Sequence, residues 1–129
     1  MNRRQFLITS TAIGLGVAAL PALAAGVKPY DAESFAKALA AGPVVVHVHA
    51  EWCPVCKAQQ PALEKLSTDA KLSKVGFVRV NFDKDKDFLR AHRVANQSVI
   101  VVFKGGKEVA RLSGLTDPAL ISDGVLKAL

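Results

Sequence analysis

The stretch Val44-Val45-Val46-His47-Val48-His49, running straight into Ala50-Glu51-Trp52-Cys53-Pro54-Val55-Cys56-Lys57, decides how this chain is read. Its first six residues are rich in β-branched side chains and are bounded by Pro43, and the continuous apolar start points to a central strand covered on both faces. From about Cys53 to Ala70 the pattern becomes helical, with Leu63 and Leu66 facing in, Lys65 and Asp69 facing out, and a kink expected at Pro61. Two cysteines three apart at a helix start share one turn. The first thiol lies beside unpaired backbone N–H groups and the positive end of the helix dipole, which favours its thiolate, while the second lies a turn deeper. That geometry suits dithiol exchange, with Cys53 attacking and Cys56 resolving the mixed disulfide. A plain pair of core cysteines accounts poorly for sulfurs at a strand-to-helix junction beside Trp52. A structural zinc site is disfavoured, because tetrahedral sites usually take a second ligand pair at similar spacing and the chain has only 2 cysteines.

Working outward, Asp31 caps a helix that runs to about Ala41, with Phe35 and Leu39 on one face and Gly42 as its stop. Val75 to Phe82 alternates as a second strand, and Asp85 to His92 makes a short helix. Gly105-Gly106 joins Val99–Phe103 to Glu108–Leu112 as a hairpin, and Asp117-Pro118 opens a last helix carrying Leu120, Ile121, Val125 and Leu129. A βαβ unit followed by a hairpin and a closing helix predicts an α/β fold, a central mixed sheet of about four strands flanked by helices.

The chain has 129 residues, one domain's worth, with 50% hydrophobic and 22% charged residues, which excludes a disordered or collagen-like chain. Lys and Arg number 17 against 11 Asp and Glu, but the basic residues are scattered among acids with little aromatic interleaving, so no nucleic-acid partner is expected. Residues 1–25 read as an export signal: Arg3 and Arg4 open a positive region, an apolar stretch from Phe6 to Leu20 follows, and Ala22-Leu23-Ala24 offers a cleavage pattern. Arg3-Arg4-Gln5-Phe6-Leu7 resembles the twin-arginine signal consensus; a Sec signal that happens to hold two arginines is the alternative. The apolar core is short for a stable spanning helix, so no membrane insertion is expected to persist after cleavage. The expected domain is residues 26–129, in the periplasm.

The segment from Ala50 to Lys57, preceded by its strand and followed by Pro61, resembles the active-site segment of thioredoxins almost position for position. Asn81-Phe82-Asp83 looks like the end of the thioredoxin central strand, and Val101-Val102-Phe103-Lys104-Gly105-Gly106-Lys107 looks like its late hairpin. The resemblance covers about Asp31 to Leu129, with a shortened N-terminal strand. It implies a thioredoxin-like fold, Cys53 and Cys56 as the redox disulfide, Trp52 as a lid on the site, and no cofactor beyond that disulfide. The implied substrates are proteins with cysteines or disulfides, with reduction favoured. A reductase outside the cytoplasm would need an electron donor, expected to be a membrane protein.

Several positions depart from the family. Pro54-Val55 replaces Gly-Pro between the cysteines, and His47 stands where thioredoxins bury an Asp credited with taking the proton of the resolving thiol. A neutral imidazole could do the same, so His47 joins Cys53, Cys56 and Trp52 as a candidate catalytic residue, with a packed, hydrogen-bonded histidine as the plain alternative. His49 replaces an aromatic residue, Arg79 a lysine, and His92 reads as a surface residue. Gln97-Ser98 occupies the place of the family's cis-proline. A cis bond before Ser98 would cost about 2.5–4 kcal/mol, so a trans or altered loop is expected, and Ser98→Pro should be tolerated. Gln97 and Ser98, with Pro54 and Val55, are the expected substrate-binding residues. The competing expectation is a soft-metal module in which Cys53 and Cys56, with His47 or His49, hold copper or zinc.

Overall fold

The computed structural model describes residues 26–129, so the export signal expected over residues 1–25 lies outside the described residues. The elements follow in the order β1 (Lys28–Pro29), α1 (Ala32–Ala41), β2 (Val44–His49), α2 (Pro54–Ser67), β3 (Gly76–Asn81), α3 (Lys86–Ala91), β4 (Val99–Lys104), β5 (Lys107–Ser113) and α4 (Pro118–Val125). They form one sheet of 5 strands in the order β1-β3-β2-β4-β5. Strands β1, β3 and β2 are parallel, whereas β4 runs antiparallel to β2 and β5 antiparallel to β4. The sheet has 5 strands against the expected number of about four, the additional one being β1, the shortened N-terminal strand that the resemblance implies. Lys28 and Pro29 pair with Val78 and Arg79 on the outer side of β3, a bridge too short to show as an alternating pattern.

Local chemistry explains the boundaries. The Asp31 carboxylate accepts from the Ser34 N–H at 3.0 Å, and Gly42 ends α1 by donating its N–H to the Ala38 carbonyl. Gly105 and Gly106, with φ of 62° and 77°, supply the two positive φ angles of a tight hairpin turn between β4 and β5. Pro61 lies inside α2, which continues through it to Ser67.

The alternation along β2 sorts the core into two layers. Val44, Val46 and Val48 face a layer with Phe35, Phe88 and Phe103 under α1 and α3. Val45 faces the other layer, with Leu63, Phe77, Ile100, Ile121 and Val125 under α2 and α4. Burial on both faces, at roughly 1.5–3 kcal/mol per fully buried valine, makes β2 the central strand that its sequence suggests. Within α4, Ile121 and Val125 are buried while Leu120 is exposed, as is Leu129 at the chain end. His92 departs from its expected surface position: it is half-buried, its ring centroid 4.4 Å from that of Phe88 with the two rings tilted by 37°, and edge-on to Phe35 and Phe103, where it completes an aromatic cluster.

Candidate active site

The C-terminal end of β2 delivers the chain into Cys53, the N-cap of α2, with Pro54 as its first helical residue. Cys53 N–H donates to the Ala50 carbonyl at 3.1 Å, and the Cys56 N–H donates to Cys53 Sγ at 3.1 Å. The first sulfur thus occupies the place of a capping oxygen at the N-terminus of the helix. Cys53 keeps 3% of its surface and Cys56 keeps 0%. The Cys56 thiol faces the Val48 carbonyl at 3.8 Å, and burial, assisted by its bond with Cys53, pushes it up to about 11. The two thiols are therefore unequal, the second held protonated in an apolar niche with Ala50 and Phe82.

Around Cys53 the surface is apolar. Trp52 is 58% exposed, Val55 37%, and Pro54 is exposed. Trp52 is braced by its indole N–H, which donates to Asp83 Oδ2 at 2.9 Å, and by edge contact with Phe82. These two contacts hold the indole over the turn that precedes Cys53.

His47 is buried in the α2-side layer, and its Nε2 lies 3.0 Å from Gln59 Oε1. Gln59 is itself fully buried, and its Nε2 donates to the Ser98 carbonyl at 3.0 Å and the Leu115 carbonyl at 2.8 Å. Those two bonds orient the amide, so its oxygen must accept, and His47 carries its proton on Nε2. Burial lowers the His47 pKa to about 4, against the Gln59 bond, with the nearby His49 and Arg79 pushing the same way as burial. His49 is likewise held down, first by desolvation and then by Arg79. The hydrogen bond of Cys56 goes to Val48, and that of His47 goes to Gln59.

The Gln97–Ser98 loop meets this network. The described residues contain no cis peptide, and Ser98 has φ 61°, a left-handed conformation that costs a non-glycine residue about 1–2 kcal/mol. Its N–H donates to the Val48 carbonyl at 2.9 Å, its carbonyl accepts from Gly114 N–H at 3.0 Å, and its hydroxyl donates to the Gln97 carbonyl at 2.6 Å. A groove of about 440 Å³ beside the loop is lined by Gln97, Ser98, Asn96, Arg111 and Ser113 among others. The trans loop agrees with expectation, but the expected tolerance of Ser98→Pro does not survive: proline fixes φ near −65° and removes the N–H bonded to Val48.

The structure thus gathers Cys53, Cys56, Trp52, Pro54 and Val55 at the start of α2, and links Ser98 to them through Val48. His47 joins the same polar cluster by way of Gln59. Gln59 itself escaped the sequence reading, although its spacing from Cys56 and Leu63 puts a polar side chain on the inward stripe of α2, which is a readable signal. The soft-metal alternative finds no ligand set. The protonated Nε2 of His47 is spent on Gln59, and among the described residues no three of His, Cys, Asp or Glu come together.

The family model for Thioredoxin matches residues 26–126. Over 101 residues the chain is 34% identical to a thioredoxin of Chlamydia pneumoniae, a match that covers 78% of this chain and 97% of that protein. It is 33% identical over 97 residues to thioredoxin-2 of Saccharomyces cerevisiae, covering 74% and 90% respectively. Among solved structures it superposes on Trxlp from Edwardsiella tarda EIB202 with TM-score 0.73 and 40% identity, over 75% of this chain and 95% of that one. The thioredoxin of Malassezia sympodialis follows with TM-score 0.69 and 26% identity, over 80% and 93%.

Three outcomes follow from this geometry. In the reduced protein near neutral pH, iodoacetamide should modify Cys53 well before Cys56, read by peptide mass spectrometry; faster labelling of Cys56 would reverse the roles. Because the folded state depresses the His47 pKa from 6.5 to about 4, the stability it leaves intact above pH 6.5 is lost as pH falls toward 4, by roughly 3 kcal/mol. Urea unfolding of the wild type and His47→Gln across that range should show a shallower acid loss in the variant, and parallel curves would contradict it. Ser98→Pro should destabilise the fold by about 3 kcal/mol or more in the same assay, through the lost Val48 bond and the misfit of φ.

Proposed function

The chain belongs to the thioredoxin family, and we propose that this thiol–disulfide oxidoreductase works outside the cytoplasm as a reductase of protein disulfides. The observation that carries the chemistry is the inequality of the two sulfurs: Cys53 caps α2 and accepts the Cys56 N–H, while burial holds the Cys56 thiol up at about 11. In the forward direction the Cys53 thiolate attacks one sulfur of a substrate disulfide; a Cys53–substrate bond forms as the substrate's S–S bond breaks, and the released sulfur leaves as a thiolate that takes a proton from water. Cys56 then gives up its proton to water and attacks Cys53 Sγ. The Cys53–substrate bond breaks, the second substrate sulfur leaves as a thiolate that is protonated in turn, and the chain is left with a Cys53–Cys56 disulfide, two electrons having passed to the substrate.

Reduction is favoured because the Trp52–Cys53 context and the compact size of the chain match thioredoxins, and the chain aligns with proteins of that name over nearly their whole length. Export is proposed from Arg3, Arg4, the apolar stretch that follows them and the Ala22-Leu23-Ala24 site. A reductase in an oxidising compartment must be recharged, so a membrane protein that passes electrons from a dithiol is the proposed donor.

The proton acceptor for Cys56 is a separate matter. With a pKa near 4 and its Nε2 proton committed to Gln59, His47 is neutral but a weak base at pH 7, which supports a positioning role for it. Trapping tests the function directly. A Cys56→Ser variant expressed with the natural leader should accumulate mixed disulfides with exported proteins, visible as bands that collapse on reduction, whereas Cys53→Ser should accumulate none. Equal trapping by both variants, or by neither, would contradict the assigned roles.

A further inference from the structure

We infer that Gln59 is a positioning residue of the dithiol site: its buried amide holds the 97–98 loop against β2, a task that falls to a rigid proline in the family, and so sets how protein substrates meet Cys53. The inference rests on the oxidoreductase reading above.

Gln59 lies on the face of α2 that carries Cys56 and Leu63 into the core, a place where an apolar side chain would fill the layer equally well. What distinguishes the glutamine is its three bonds. Its Nε2 ties the Ser98 carbonyl, just before β4, to the Leu115 carbonyl, just after β5, and its oxygen accepts the hydrogen bond from His47 Nε2–H. An apolar replacement would leave His47 Nε2 and the Leu115 carbonyl without those partners, and would leave the Ser98 carbonyl with Gly114 alone.

The consequence reaches the sulfurs through backbone. Ser98 is held at φ 61° without a glycine's freedom or a proline's ring, so its conformation depends on the bonds at either side of it. On one side its carbonyl is gripped by Gln59; on the other its N–H donates to the Val48 carbonyl, the same oxygen that faces the Cys56 thiol. Releasing the amide frees Ser98 to relax toward negative φ, which draws its N–H away from Val48. The docking loop then moves relative to Cys53, while the Cys53 N-cap, made by α2 itself, stays in place.

The test compares wild type with Gln59→Leu and Gln59→Met in the full-length mature protein, using insulin as a protein disulfide and a small aromatic disulfide as a probe too small to span the loop. For either variant we expect KM for insulin to rise at least tenfold with kcat within threefold, and the rate with the small disulfide to fall less than threefold. Adding Ser98→Gly to Gln59→Leu should recover at least threefold of the insulin KM, because glycine takes the left-handed conformation without help. Losses on both substrates in proportion to unfolded protein, or no change on either, would overturn the proposal. If neither variant folds, wild-type NMR decides: Gln59 side-chain amide protons protected from exchange, against those of the exposed Asn96, support it, and equal exchange overturns it. A wild type that reduces no disulfide at all would instead sink the oxidoreductase reading, and this inference with it.

Discussion

The structure depends on one constraint, the fixed passage from β2 into α2. β2 is buried on both faces and paired on both edges, so its end cannot shift without breaking the sheet on either side. The chain leaves it through Ala50, and three residues later Cys53 must serve as the N-cap of a helix whose first N–H groups have no other partner. A sulfur there faces the positive end of the helix, and a second sulfur one turn on is carried under the first. The difference between the two thiols is thus a consequence of chain geometry, and no separate device is required to create it.

The buried polar cluster beneath that junction is the second level of organisation. An apolar layer that includes Val45, Leu63, Ile100 and Ile121 adjoins one imidazole and one amide, both deeply buried, and every hydrogen-bonding group of the amide is occupied. Satisfied in this way, a polar group costs little and specifies orientation, because each alternative packing leaves a buried donor or acceptor bare. His49 Nε2 and Arg79 Nε, which flank His47 on β2 and on the paired β3, are buried without partners, and desolvation, with the guanidinium charge adding to it, lowers the pKa of both imidazoles. This region has exchanged the acidic chemistry of its family for a neutral hydrogen-bonded one.

Much of this was legible in the residues. β2 was readable to the residue because β-branched positions bounded by Pro43 leave little alternative, and α1 because Asp31 and Gly42 mark both ends. The cysteine pair declared its own chemistry. What escaped depends on contacts distant in sequence: the place of Lys28–Pro29 at the outer edge of β3 is set only by that pairing, and His92 is drawn inward by Phe35, Phe88 and Phe103. The role of Gln59 requires knowing that residues 98 and 115 come together over α2, and the φ of Ser98 follows from that meeting and not from any preference of serine.

In the proposed function Cys53 and Cys56 cycle between dithiol and disulfide at a potential suited to giving electrons away. Equilibrating the protein with dithiothreitol or glutathione buffers, and following the single Trp52 beside the site by fluorescence with mass spectrometry of the trapped thiols, measures this directly. One two-electron transition is expected, at about −270 mV, the value of thioredoxins. A transition near the about −120 mV of strong thiol oxidants, or the absence of any Cys53–Cys56 disulfide across the whole range, would contradict it.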